Sequence, residues 1–178
     1  MVSTDDGDIN IWSECSVDEC LLSTRNGNIN ASELFCLSTN IIVTENGSVT
    51  ANVYKGSIEA TINYGNMYLF AKDIFDDSSI SVVKGDVHLS APERCGFKLK
   101  VSAPCINVTP KLQNSGNLYL CKDTGFETFS TEDSSSPRIK SDLPILTINV
   151  AQGSVNLAVA DDKEHAKILS DYRYDTIP

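Results

Sequence analysis

The sequence predicts an all-β, single-stranded β-solenoid (β-helix-like) with repeats of about 20 residues. Three observations carry that prediction: a glycine-centred phrase that keeps returning, apolar alternation after each glycine, and a near absence of helix signals. The phrase is Gly, a small polar residue, an apolar residue, any residue, and a second apolar one. It stands as GDINI at Gly7, GNINA at Gly27, GSVTA at Gly47, GSIEA at Gly56 and GNMYL at Gly65. It returns as GDVHL at Gly85, GNLYL at Gly116 and GSVNL at Gly153, so eight of the ten glycines share one pattern.

The residues before each glycine repeat as well. LLSTRNG (21–27), IIVTENG (41–47) and SISVVKG (79–85) each place an apolar, β-branched stretch ahead of a turn. Every unit thus reads as strand, tight turn, strand, with glycine supplying the backbone freedom the turn needs. After the glycine, Ile29 with Ala31, Val49 with Ala51 and Val87 with Leu89 alternate with period 2, which puts them on one buried face. The expected core column is Ile9, Ile29, Val49, Ile58, Met67, Val87, Leu118 and Val155.

Successive glycines of the pattern are 20, 20, 9, 9, 20, 31 and 37 residues apart. A constant phase favours stacked coils, because hairpins have no need of equal length; an antiparallel β-sandwich is the alternative. The two steps of 9 read as successive sides of one coil. The gaps of 31 and 37 read as insertions, the second holding the loop-like STEDSSSPR (130–138). Residues 1–160 form the expected repeat domain. DDKEHAKILSDY (161–172), with Ala166, Ile168 and Leu169 as a partial stripe, predicts a capping helix or tail over 161–178. The first repeat begins at Gly7 without a cap, so end-to-end self-association or an upstream extension is expected.

Composition excludes several classes. The net charge of −10 opposes nucleic-acid and anionic-membrane partners. No apolar run approaches the ~20 residues of a membrane-spanning helix, so no membrane insertion is expected. The acidic start MVSTDDGDINIW is unlike a secretory or transit leader, which points to the cytoplasm or an organelle. Cys15, Cys20, Cys36, Cys95, Cys105 and Cys121 are irregularly spaced, with no C-x-x-C pair and only two histidines in the chain. They read as reduced, partly buried small hydrophobes, with no metal or cofactor site expected. Sequons begin at Asn30, Asn46 and Asn107.

Catalytic signatures are lacking. His88 lies between inward Val87 and Leu89 and should point to solvent, while His165 falls in the terminal helix. There is no nucleophile elbow, Walker loop or dinucleotide-binding turn. The acidic groups are Asp5, Asp6 and Asp8; Asp73, Asp76 and Asp77; and Asp161 with Asp162. A carbohydrate lyase or hydrolase would draw on Asp73, Asp76 and Asp77, where Lys72 is the sole neighbouring base. No residue is assigned a catalytic role. The outward row Asn10, Asn30, Thr50, Glu59, Tyr68, His88, Tyr119 and Asn156 has two readings. It either binds a protein or glycan, or stacks on its own copies to staple the coils.

The phrases NGNI, NGSV and KGDV in an acidic, strand-rich chain resemble an adhesin domain family widespread in bacterial proteins. Eukaryotic proteins described as family with sequence similarity 185 share that grammar. The resemblance covers residues 7 to 160, and the spacing after Gly85 departs from it. It implies a single-stranded β-solenoid with no catalytic residues to carry over, a structural or interaction module acting through a solenoid face.

Overall fold

The computed structural model describes residues 1–92, 97–109, 118–123, 126–131 and 143–160. The capping helix or tail expected over 161–178 lies outside them, as do residues 132–138 of the expected loop 130–138, whose first two residues, Ser130 and Thr131, close β12 instead. In chain order the strands are β1 (Val2–Asp6), β2 (Ile9–Cys15), β3 (Glu19–Asn26), β4 (Ile29–Asn46) and β5 (Val49–Tyr64). There follow β6 (Met67–Ala71), β7 (Ser78–Lys84), β8 (Val87–Ala91), β9 (Lys98–Ala103) and β10 (Cys105–Val108). The set closes with β11 (Leu118–Asp123), β12 (Phe126–Thr131), β13 (Ile145–Gln152) and β14 (Ser154–Val159).

The fold is the expected β-solenoid. Each coil has two walls, joined at one edge by a glycine corner and at the other by a bend. The front wall stacks the strands that follow the glycines, in the order β2, β4, β5, β6, β8, β14, β10, all parallel. The back wall stacks β1, β3, β4, β5, β7, β13, β9, also parallel. Strands β4 and β5 are long because each runs round the bend and serves both walls. The hairpin β11–β12 then lies antiparallel along β9 and covers that sheet edge.

Alternation fills the space between the walls. On the front wall Ile9, Ile29, Val49, Met67, Val87, Val155 and Ile106 form one continuous buried column. Two members of the expected column sit elsewhere. Ile58 is buried in the back wall beside Thr39, because GSIEA marks the opposite edge of a coil, as the steps of 9 implied. Leu118 pairs with Thr131 in the hairpin.

The corners explain the motif letter by letter. Gly27, Gly47, Gly65 and Gly85 donate their N–H to the carbonyls of Asn46, Tyr64, Lys84 and Gln152 in the next coil, at 2.9–3.0 Å. At Gly65 φ is +149°, and a Cβ would run into the Gly47 carbonyl, so both backbone and space demand glycine. The small polar residue after the glycine accepts the N–H of its own counterpart one coil on. Asp8 Oδ1 accepts from Asn28 at 2.7 Å, Asn28 Oδ1 from Ser48 at 2.9 Å, and Asn66 Oδ1 from Asp86 at 2.9 Å. Without that oxygen the corner N–H would have no partner.

The expected insertions also fail. The gaps of 31 and 37 are not simple insertions, because the coils stack out of sequence order. Strand β13 lies between β7 and β9, and β14 between β8 and β10. The phrase at Gly153 therefore follows directly on the one at Gly85 in space.

Candidate functional site

The outward row of the front wall runs Asn10, Asn30, Thr50, Tyr68, His88, Asn156, Asn107. Glu59 belongs to the back wall and Tyr119 to the hairpin; Asn107 joins the row unforeseen. Members of the row contact one another. Asn30 Nδ2 donates to Asn10 Oδ1 at 2.8 Å, and Asn107 Nδ2 to Asn156 Oδ1 at 2.9 Å. The Tyr68 and His88 rings stack at 4.7 Å with planes 7° apart. These are the self-stacking contacts of a ladder that staples coil to coil.

The carboxylates have local duties. Asp5 pairs with Arg25 at 3.2 Å on the exposed surface, and Asp6 Oδ1 accepts from Asn26 Nδ2 at 3.1 Å. Asp77 Oδ1 accepts the Ile145 N–H at 2.9 Å and so holds the start of β13. Asp73 and Asp76 are exposed, and both use their backbone carbonyls, towards Gly56 N and Ser78 Oγ. The side chains of Asp73, Asp76 and Asp77 do not converge on a common point among the described residues. Asp161, Asp162 and His165 lie outside those residues.

The bend edge offers a different surface. Val17, Leu37 and Phe75 are 48%, 60% and 44% exposed there, beside a groove of about 360 Å³ also lined by Glu14, Phe35 and Lys55. Of its lining, Phe35 stacks on Tyr54 at 5.3 Å, and Tyr54 in turn meets Phe70 at 5.6 Å. Lys55 Nζ sits 5.2 Å from the Phe75 ring centre, a cation–π contact at the groove wall. Gly56 ties successive bends together, donating to the Asp73 carbonyl at 3.0 Å and accepting from the Phe75 N–H at 3.2 Å.

Beneath the same edge three cysteines meet. Cys15 ends β2, Cys20 is the second residue of β3 and Cys36 lies in β4, and their sulfurs all fall within 4.8 Å of one another. The Cys15 and Cys36 sulfurs are 4.0 Å apart, and the Cys36 thiol donates to the Cys15 carbonyl at 3.4 Å. Cys20 and Cys36 are buried, Cys15 is half-buried, and all three are free thiols, as is the exposed Cys105. Burial pushes the Cys20 thiol up to about 12, with charge on its two neighbours adding to the effect. Burial raises Cys15 as well, followed by the influence of Cys36. The irregular spacing hid this meeting. The signal was the repeat itself, since Cys36 follows Cys15 by 21 residues, about one turn of the coil.

Glycine corners, polar corner ladders and buried apolar columns along both walls define a single-stranded parallel β-solenoid. Within that class the chain belongs to the Toastrack DUF4097 family, whose sequence profile matches residues 1–117, a stretch taking in β1 to β10. Comparisons with curated proteins and with solved structures gave no match.

Proposed function

We propose that the chain is a non-catalytic interaction module that binds a protein partner along its bend edge, an adhesin-like role. The observation that carries this is the group of Val17, Leu37 and Phe75 held exposed around one groove. Apolar side chains clustered on the surface of a folded domain mark contact sites, because covering them removes apolar area from water. The polar row of the front wall is a weaker candidate, since its amides and rings already engage one another. A glycan there would have to displace those contacts.

A photo-reactive phenylalanine analogue at position 37, introduced in the native cell, tests the proposal. A discrete cross-linked protein species is expected, weakened by F75S and absent when the label replaces exposed Ser81 on the back wall. Equal labelling from both positions would overturn it. So would cleavage of any polysaccharide that disappears in a D73N/D76N/D77N variant. Glycan binding abolished by N30A and Y68A would move the function to the front wall.

A further inference from the structure

We propose that Cys15, Cys20 and Cys36 form a site for one thiophilic d10 metal ion, Cu(I) or Zn(II), inside the first turns of the solenoid. Their sulfurs already lie within 4.8 Å of one another, and Cys15 and Cys36 are 4.0 Å apart. Three sulfurs bound to one ion at ~2.3 Å sit about 3.8–4.0 Å from each other, so small side-chain motions complete the site. Thiolate ligands without imidazole select soft or borderline ions over calcium or magnesium. Among the described residues no histidine or carboxylate joins the group. Three sulfurs satisfy Cu(I), whereas Zn(II) would complete its four-coordinate shell with a water. Cys36 lines the bend-edge groove, which gives ion and water a way in.

A second observation points to the same place. Thr39 is fully buried, and its Oγ1 is the buried side-chain oxygen left without a hydrogen-bond partner among the described residues. Thr39 is the direct register neighbour of Cys20, one strand spacing along the axis. A hydroxyl left orphaned in a core normally costs stability. A metal-bound thiolate at Cys20 is an acceptor of the kind that hydroxyl lacks, and hydrogen bonds to ligand sulfurs are the usual support of such sites. On binding, each ligating thiol releases its proton to solvent as its sulfur takes the ion.

The experiment uses the full chain, reduced and stripped of metal under anaerobic conditions. It is titrated separately with Zn(II) against a zinc-sensitive dye and with Cu(I) against a colorimetric Cu(I) chelator. One equivalent of at least one ion should bind, with Cys15, Cys20 and Cys36 then protected from alkylation. The half-buried C15S variant should fold, by circular dichroism, and bind at least tenfold more weakly, while C105S should bind like the parent. T39V separates ligation from packing. It should melt no lower than the parent without metal, yet bind the ion roughly tenfold more weakly. No stoichiometric binding of either ion would overturn the proposal, as would binding that survives C15S unchanged or falls equally in C105S.

Discussion

Asp86 Oδ1 accepts two hydrogen bonds from Ser154, one from its N–H at 2.7 Å and one from its hydroxyl at 2.8 Å, across 68 positions of chain. This clasp fixes the late strand β14 against β8 and sets the register of the coil that arrives out of order. D86A leaves the Ser154 N–H without its acceptor and should cost about 1–3 kcal/mol in urea unfolding. D86N keeps an acceptor oxygen and should recover most of that loss. Equal losses for the two variants would show that charge, and not the clasp, is what matters.

The glycine corners make a paired prediction. At Gly65 a Cβ meets the Gly47 carbonyl, while at Gly7, in the first coil, the nearest atom is Thr4 Oγ1 at 3.9 Å. Both have positive φ, +149° and +124°. G7A should therefore cost only backbone strain, about 1–3 kcal/mol. G65A adds a collision with backbone of the neighbouring coil and should lose about 4 kcal/mol or more. Thermal melts of the two variants side by side decide it, and similar losses would contradict the stacking of corners.

Val49 is fully buried at the middle of the front-wall column, between Ile29 and Met67. V49D places an unpaired carboxylate there and should destabilise the chain by about 3–5 kcal/mol, enough to unfold the array. Retention of the parent melting temperature would mean that Val49 does not face the core.

The buried thiols give the metal-free chain an alkaline limit. Cys20, facing Cys15 and Cys36, titrates near 12 when folded but near an ordinary thiol value when unfolded. Its folded value is raised, so the folded chain holds more protons above about pH 9 and stability falls as pH rises from there towards 12. The slope reaches at most ~1.4 kcal/mol per pH unit for one thiol. Denaturant midpoints from pH 8 to 11 should fall, and fall less steeply in C20V, which lacks a thiol at that position. An unchanged slope in C20V would assign the alkaline limit to other groups.

Much of this architecture was legible because each coil carries its own corner code. Gly27 and Gly47, with Asn28 and Ser48 after them, announce turns that only a stacked neighbour can satisfy, and Ile29 and Val49 announce the wall behind. The placement of Ile58 and Glu59 was misread because GSIEA copies the phrase on the opposite edge of the coil. The order of the last coils was illegible for a different reason. A period search reads neighbours along the chain, whereas Gly85 N donates to Gln152 O across the intervening hairpin. The meeting of Cys15, Cys20 and Cys36 needed the chain wrapped at its repeat length before it could be noticed. The apolar bend edge carries no motif, since Val17, Leu37 and Phe75 are scattered in sequence and gathered only by the fold.

The coil built from β13 and β14 lies between the β7–β8 coil and the β9–β10 coil although both precede it in the chain. Strands β7 and β9 both leave the ribosome with a bare edge meant for β13, and both accept a parallel neighbour. Filling that slot pairs Ile148 with both Ile80 and Val101, contacts far apart in sequence of the kind that form slowly.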